Sequence, residues 1–290
     1  MILITGASGN VGSEVLKQAA AAGLKIRATF QIPDKASKAP AGVESVIMDY
    51  AKTETIRPAL KDVEKVFLVG PPARDLPELE GNFVREVRAA GRTHVVKLSA
   101  LGGRASLFPS AHRDSEENIE ASGLPYTFLR PNGFMQNFVN YDGDTIRTQN
   151  AFYGCQGEGE GAVSLIDLRD VGASAVKVLA ATGHEGKSYA LTGPEALNNR
   201  QVAEKLSRVA GRKISYVDLP PADLKNGMLS AGVPEWFADA LLDLQRLYRE
   251  GGASLVTNDF ERLTDRKPIS FDQFARDYAT AFQAEAKAAG

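Results

Sequence analysis

With 290 residues, 43% of them hydrophobic, the chain is long enough to bury a large core, as one broad domain or two modest ones. A net charge of −2 and scattered rather than clustered Lys and Arg argue against direct binding to nucleic acid. A single cysteine, Cys155, excludes an intramolecular disulfide and suits a reducing compartment. The first strand starts at residue 2, which leaves no room for a signal peptide, and no apolar run reaches the roughly 20 residues of a membrane helix. A cytoplasmic protein with no membrane contact is the expectation.

The opening stretch Met1-Ile2-Leu3-Ile4-Thr5-Gly6-Ala7-Ser8-Gly9-Asn10-Val11-Gly12 organises the rest. A short β-prone run ends at Gly6, glycines follow three apart, and Val11, Val15, Leu16 and Ala19 then recur at helical spacing. Strand, tight turn and helix in this order suit a pyrophosphate. Gly6 can adopt turn dihedrals closed to other residues, Gly9 admits the ligand, and Gly12 lets helix and strand pack closely. Backbone N–H groups at the helix start then face the anion, which makes Gly6, Ala7, Ser8, Gly9, Asn10 and Val11 cofactor-binding candidates. The spacing is G-x-x-G-x-x-G, so the surrounding pattern has to support it. It does: the helix runs to about Gly23, and Leu24 to Phe30 completes a βαβ unit.

Gln31 follows the second strand, near where an NAD-specific site places a carboxylate for the ribose 2′-hydroxyl. Its neutrality, with Lys35 and Lys38 in the next loop, favours NADP while leaving NAD open; the two lysines are otherwise solvated loop charges. Val43 to Met48 reads as a third strand, ending at Asp49, which contacts adenine or simply closes a turn. Thr53 to Leu60 reads as a helix and Val63 to Val69 as a fourth strand. Val69, Gly70 and Pro71 close that strand and suit a wall of the cofactor cleft. A helix from Leu76 to Ala90 and a fifth strand ending at Ser99 follow.

A helix containing His112 stops at Gly123, and Tyr126 to Arg130 forms a sixth strand closed by Pro131-Asn132-Gly133. Asn132, Phe134, Met135 and Asn137 start from the sheet edge that would face the nicotinamide. Gly154 to Gly161 reads as a mobile loop, Val163 to Leu168 as a strand, Asp170 to Ala181 as a helix and Ser188 to Leu191 as a strand. Capping boxes at Asn198–Gln201 and Ser270–Gln273 open two helices around a short strand, Ile214 to Val217. The alternation of β and α predicts an α/β fold, a Rossmann-type doubly wound parallel sheet with a smaller, mainly helical C-terminal domain on the substrate side. Residues 1–150 and 163–194 are expected in the first and 195–290 in the second. Neither His94 nor His184 has metal-ligand spacing, so no metal site is expected, and Cys155, with no histidine nearby in sequence, is not expected to be a catalytic thiol.

Taken together, Gly6, Gly9 and Gly12, Val95-Val96-Lys97-Leu98-Ser99, Leu129-Arg130-Pro131-Asn132, Ile166-Asp167-Leu168-Arg169-Asp170, Leu191-Thr192-Gly193-Pro194 and the ending Phe271 to Phe282 make the chain resemble the NmrA-like family of atypical short-chain dehydrogenases/reductases. That group includes NAD(P)H-dependent quinone, azo-dye and triphenylmethane reductases, and also regulators with little activity. The resemblance implies pyrophosphate at Gly6 to Val11, ribose near Gln31 to Lys35, a cleft lined by Val69 and Gly70, and nicotinamide beside Phe134 to Asn137. The Tyr-x-x-x-Lys of short-chain dehydrogenases is missing, since no tyrosine is followed by lysine four residues on. His112 stands where many relatives keep the lysine.

His112 is therefore a candidate ribose contact or general acid, the plain alternative being a surface histidine in a first helical turn beside Glu116. Ser99 divides likewise between substrate hydrogen bond and strand-end cap; these two are the catalytic candidates. Phe134, Phe138, Tyr141, Phe152, Tyr153, Trp236 and Phe237 include possible walls for a flat aromatic substrate. The expected function is an NADPH-dependent reductase of quinone-like or azo acceptors, which stabilise negative charge themselves and need no strong acid. A cofactor-sensing regulator is the second reading, and an epimerase or benzylic ether reductase the third. A homodimer stays open.

Overall fold

The computed structural model describes residues 1–91 and 93–284, so 285–290 of the expected C-terminal domain lie outside the described residues. Seven parallel strands form the central sheet: β1 (Ile2–Ile4), β2 (Ile26–Phe30), β3 (Glu44–Ile47), β4 (Lys65–Leu68), β5 (His94–Leu98), β6 (Tyr126–Pro131) and, beyond a further small strand, β8 (Lys187–Leu191). Their order is β3-β2-β1-β4-β5-β6-β8, and the direction of winding reverses between β1 and β4. The two faces are covered as a doubly wound sheet requires. Ile4, Phe67, Val96 and Leu129 pack against the helices Asn10–Ala21 and Leu168–Ala180. Leu3, Val66, Val95 and Phe128 pack on the other side against Leu76–Ala90 and Leu107–Ser122.

A second apolar cluster collects Met135, Phe138, Ile146 and Phe152 with Leu197, Val202, Leu206, Phe271, Phe274 and Phe282. Met135, Phe138, Ile146 and Phe152 thus pack with the C-terminal part, whereas Ile166, Leu168, Val171 and Leu191 pack in the first core. A small parallel pair seals the union: β7 (Ala151–Gly154) lies beside β9 (Ser215–Asp218), and β7 gives no clear periodic signal in four residues. The expected strand from Val163 to Leu168 is absent as a unit. Val163 bridges Leu197 while Ile166 bridges Phe134, and a hydrogen bond from Leu165 N to Val163 O kinks the segment between the two partners. The glycine-rich loop is pinned rather than loose, with Gly157 N on Asp218, Asn198 on Gly159 O and Arg200 on Glu158.

The helix carrying His112 starts at Leu107, five residues before it. Ser106 takes the extended N-cap conformation and Pro109 lies in the first turn, where its missing N–H costs nothing. Leu107 N donates to Asp243 at 2.7 Å, tying this helix start to the C-terminal helix Glu235–Arg249. His112 is consequently in the second turn, over the sheet.

Gly193 closes β8 against the kinked segment, where an added Cβ would fall 1.9 Å from Leu165 O. Gly193→Ala should therefore destabilise the protein by about 3 kcal/mol in urea unfolding, whereas Gly23→Ala, which meets nothing within 4 Å, should cost less despite its positive φ.

Candidate functional site

The crevice opens where β1 and β4 end side by side. Thr5 holds them together: its hydroxyl donates to Phe67 O at 3.0 Å and accepts from Val69 N at 2.8 Å. The chain then turns at Gly6, with φ +59°. A Cβ at Gly12 would lie 2.1 Å from Gly6 O, so only glycine lets the helix approach the turn this closely. Ala7 and Val11 are buried, while Ser8, Gly9 and Asn10 are exposed in the mouth of the crevice. Gly9 is the N-cap and brings no side chain to the helix start. The N–H groups of Asn10, Val11 and Gly12 have no acceptor among the described residues. Unpaired donors on a helix end with no acidic residue in its first turn make a cradle that fits a diphosphate.

Gln31 emerges exposed at the end of β2, and Lys35 lies in the short helix Pro33–Ala36. Among the described residues neither Lys35 nor Lys38 has an ion-pair partner, and Asp34 is the acidic neighbour. Asp49 closes its own turn by accepting from Ala51 N at 2.9 Å, so one carboxylate oxygen is already engaged. Val69 O accepts from Tyr50 Oη, and Gly70 N donates to Glu80 at 3.1 Å. Pro71 follows, half-buried, on the same wall.

Ser99 and His112 acquire different partners. Ser99 Oγ donates to Glu116 Oε1 at 2.6 Å, and Glu116 also receives Arg130 through two nitrogens and Arg113 at 2.8 Å. Burial pushes the Glu116 carboxyl upward, but Arg130, Ser99 and Arg113 outweigh it and hold the group below its ordinary value. These residues floor a cavity of about 370 Å³, which Ala100, Leu101 and Pro109 complete. His112 lies outside that lining. Its Nδ1 sits 3.4 Å from the ammonium of Lys97, which is wholly buried and paired with Glu80 at 2.5 Å. Desolvation first, and the Lys97 charge second, hold His112 well below the usual histidine value, so it is neutral near pH 7.

On the nicotinamide side, Asn132 is used up by the framework. Its amide donates to Ser164 Oγ and Ala253 O and accepts from Gly133 N. Met135 is buried in the second core, whereas Phe134 is half-buried and the side-chain amide of Asn137 makes no bond among the described residues. Of the aromatic candidates, Phe138 and Phe152 are core, in edge contact at 5.4 Å, and Tyr141 is 71% exposed. Trp236 and Phe237 are half-buried, with Phe237 set edge-on to Phe108. The Cys155 thiol is buried and pushed upward by that burial, away from an activated nucleophile. Among the described residues no group of three or more His, Cys, Asp or Glu is placed to hold a metal, and no helix is long and apolar enough to cross a membrane.

Sequence reasoning named neither Lys97 nor Glu80, Glu116 or Arg130 as site residues. One signal was available: a lysine in the middle of the apolar strand Val95-Val96-Lys97-Leu98 must be buried and so must find a carboxylate.

A parallel sheet with a glycine turn at its switch point and an anion-ready helix start defines the class: a Rossmann-type dinucleotide-binding protein. Within that class the chain belongs to the NmrA-like family, whose model matches residues 1–275. It is 34% identical to the NAD(P)H azoreductase of Xenophilus azovorans over 98% of this chain and 100% of that protein. The NADPH-dependent quinone oxidoreductase of Escherichia coli, solved with NADPH, superposes with a TM-score of 0.87 at 26% identity, covering 96% of this chain and 99% of that one. Triphenylmethane reductase of a Citrobacter species, solved with NADP(H), gives a TM-score of 0.83 at 28% identity with the same coverage.

Replacing Glu116 by Gln leaves two guanidinium groups without their shared anion and should cost about 2–4 kcal/mol at neutral pH. Because the folded-state value is depressed, the carboxylate's contribution is full above the ordinary value of 4.5 and is lost as pH falls below it. The difference between Glu116→Gln and the parent should thus shrink in acid, as read by denaturation at a series of pH values.

Proposed function

We propose that the protein is an NAD(P)H-dependent reductase, preferring NADPH, that delivers hydride to an apolar, electron-poor acceptor such as a quinone or azo compound. The observation that carries this reading is the bare helix start beside Gly6 and Gly9 at the β1/β4 switch point. Membership in a family whose similar proteins are named as azo, quinone and triphenylmethane reductases supports it over a cofactor-sensing regulator.

When bound, the dinucleotide supplies the hydride; this chain's residues supply position. Backbone N–H groups of Ser8, Asn10 and Val11 orient the diphosphate, while Gly9 N is held by Gly6 O. Gln31 and Lys35 meet the adenosine ribose, where a 2′-phosphate encounters no carboxylate at the strand end. Val69, Gly70 and Pro71 wall the cleft, and His112 faces the nicotinamide ribose. Phe134 and the free amide of Asn137 border the nicotinamide. The Ser99 hydroxyl has committed its proton to Glu116 and offers an acceptor, not an acid. A quinone or azo group spreads the incoming negative charge over its own conjugated system, so it tolerates a site without a strong proton donor.

Purified protein should oxidise NADPH faster than NADH when mixed with quinones or azo dyes, as followed by nicotinamide absorbance. Tight NADPH binding with no turnover across quinones, azo dyes and triphenylmethane dyes would instead favour the regulator. Gly9 has φ −85° and ψ 170°, open to any residue, and a Cβ there meets only Gly6 O at 3.4 Å. Gly9→Val should therefore keep the parent's melting behaviour while weakening NADPH binding at least tenfold, because the branched side chain fills the diphosphate cradle; tenfold corresponds to about 1.4 kcal/mol. Lys35→Glu should raise the KM for NADPH by roughly fivefold and leave that for NADH nearly unchanged.

A further inference from the structure

The buried ammonium of Lys97 has three protons and three neighbours. Glu80 Oε2 lies at 2.5 Å, Leu98 O at 3.2 Å and His112 Nδ1 at 3.4 Å. An ammonium only donates. All three of its N–H groups find acceptors only if the Nδ1 lone pair of His112 faces Lys97, and a proton on Nδ1 would set two donors head to head. The imidazole proton then belongs on Nε2, which has no protein partner among the described residues and is not sealed from solvent.

The same pair reaches the cleft wall. The second oxygen of Glu80 accepts from Gly70 N at 3.1 Å, and a Cβ at Gly70 would lie 2.7 Å from that oxygen. Gly70, Glu80, Lys97 and His112 therefore form one continuous polar path through an otherwise apolar layer. We propose that Lys97, anchored by Glu80, is a positioning residue that sets His112 in its Nε2–H tautomer, so that His112 meets the bound ligand as a hydrogen-bond donor rather than as an acceptor. This rests on the reading that His112 faces the cofactor cleft. The natural acceptor for such a donor is a ribose hydroxyl or a carbonyl oxygen of the substrate.

Other charged groups around His112 are engaged elsewhere. On its own helix, Arg113 and Glu116 are paired with each other, and Glu116 also holds Arg130 of β6. On the C-terminal helix, Asp243 and Arg246 pair together and bind the backbone at Leu107 and Ala105. Lys97 is left as the group that orients the ring.

The test is nitrogen NMR of the histidine rings in the cofactor-free protein, with His112 assigned by comparison with His112→Gln. Protonated Nε2 and unprotonated Nδ1, unchanged between pH 6 and pH 8, are expected. A proton on Nδ1, or ordinary titration near pH 6.5, overturns the proposal. Cutting only one member of a buried pair risks unfolding, so both are replaced by apolar residues, Lys97→Met with Glu80→Leu. In that variant His112 should populate both tautomers and titrate closer to the ordinary value; an unchanged spectrum would show that Lys97 does not set the tautomer. If the double variant fails to fold, the spectrum of the parent protein still decides the tautomer. Absence of reductase turnover in the parent would count against the proposed function alone, since the tautomer is read without cofactor or substrate.

Discussion

The close approach of one helix to one strand exit governs the architecture. With Gly12 over the Gly6 carbonyl and Gly6 against Val69, the first helix starts directly at the crevice between β1 and β4. A side chain at Gly12 would meet the Gly6 carbonyl at 2.1 Å, push the helix away and remove its free N–H groups from the cleft. Thr5 completes the arrangement by joining the two strand ends through its hydroxyl. The cost of glycine at these positions is backbone entropy, offset by a binding surface made of backbone that no side chain can obstruct.

The second constraint is charge burial. Strand alternation puts Lys97 and Ser99 on one face of β5, toward the helices Leu76–Ala90 and Leu107–Ser122. Each is met by a carboxylate from one of those helices, Lys97 by Glu80 and Ser99 by Glu116. Polar groups in such a layer are tolerable when bonded, and Lys97 and Ser99 each have a carboxylate partner. One runs from Gly70 on the cleft wall to His112. The other floors the cavity of Ser99, Arg113 and Arg130. A stable sheet requires neither cluster at this position, and both lie at the strand ends where ligands of doubly wound sheets bind.

The C-terminal part braces the loop and helix start beside the cavity rather than standing apart. Asp243 caps the Leu107 N–H, Arg246 reaches Ala105 O, and Phe237 meets Phe108 edge-on. The loop between β5 and the His112 helix is therefore shaped by Asp243 and Arg246, which lie 136 and 141 positions beyond their partners. Its glycines, Gly102 and Gly103, both have positive φ, which lets the chain fold back beneath Leu247.

The sequence by itself determined what depends on near neighbours. Periodicity located all seven strands of the main sheet, Gly6 and Gly12 announced the turn, and the box at Asn198 forms in full. At Ser270 the hydroxyl caps Gln273 N, but the Gln273 side chain turns to Asp277 and Arg276 instead of closing the box. Tertiary structure decided what depends on partners far along the chain. Val163 to Leu168 has the composition of a strand, yet its two ends bridge different neighbours and it kinks. Asn132 lies at the sheet edge facing the cleft, yet its amide is spent on Ser164 and Ala253. His112 lies beside Glu116 in sequence, yet its partner is Lys97 on another element. Hydrogen bonds and ion pairs are satisfied in three dimensions, and local spacing carries no information about which distant donor will arrive.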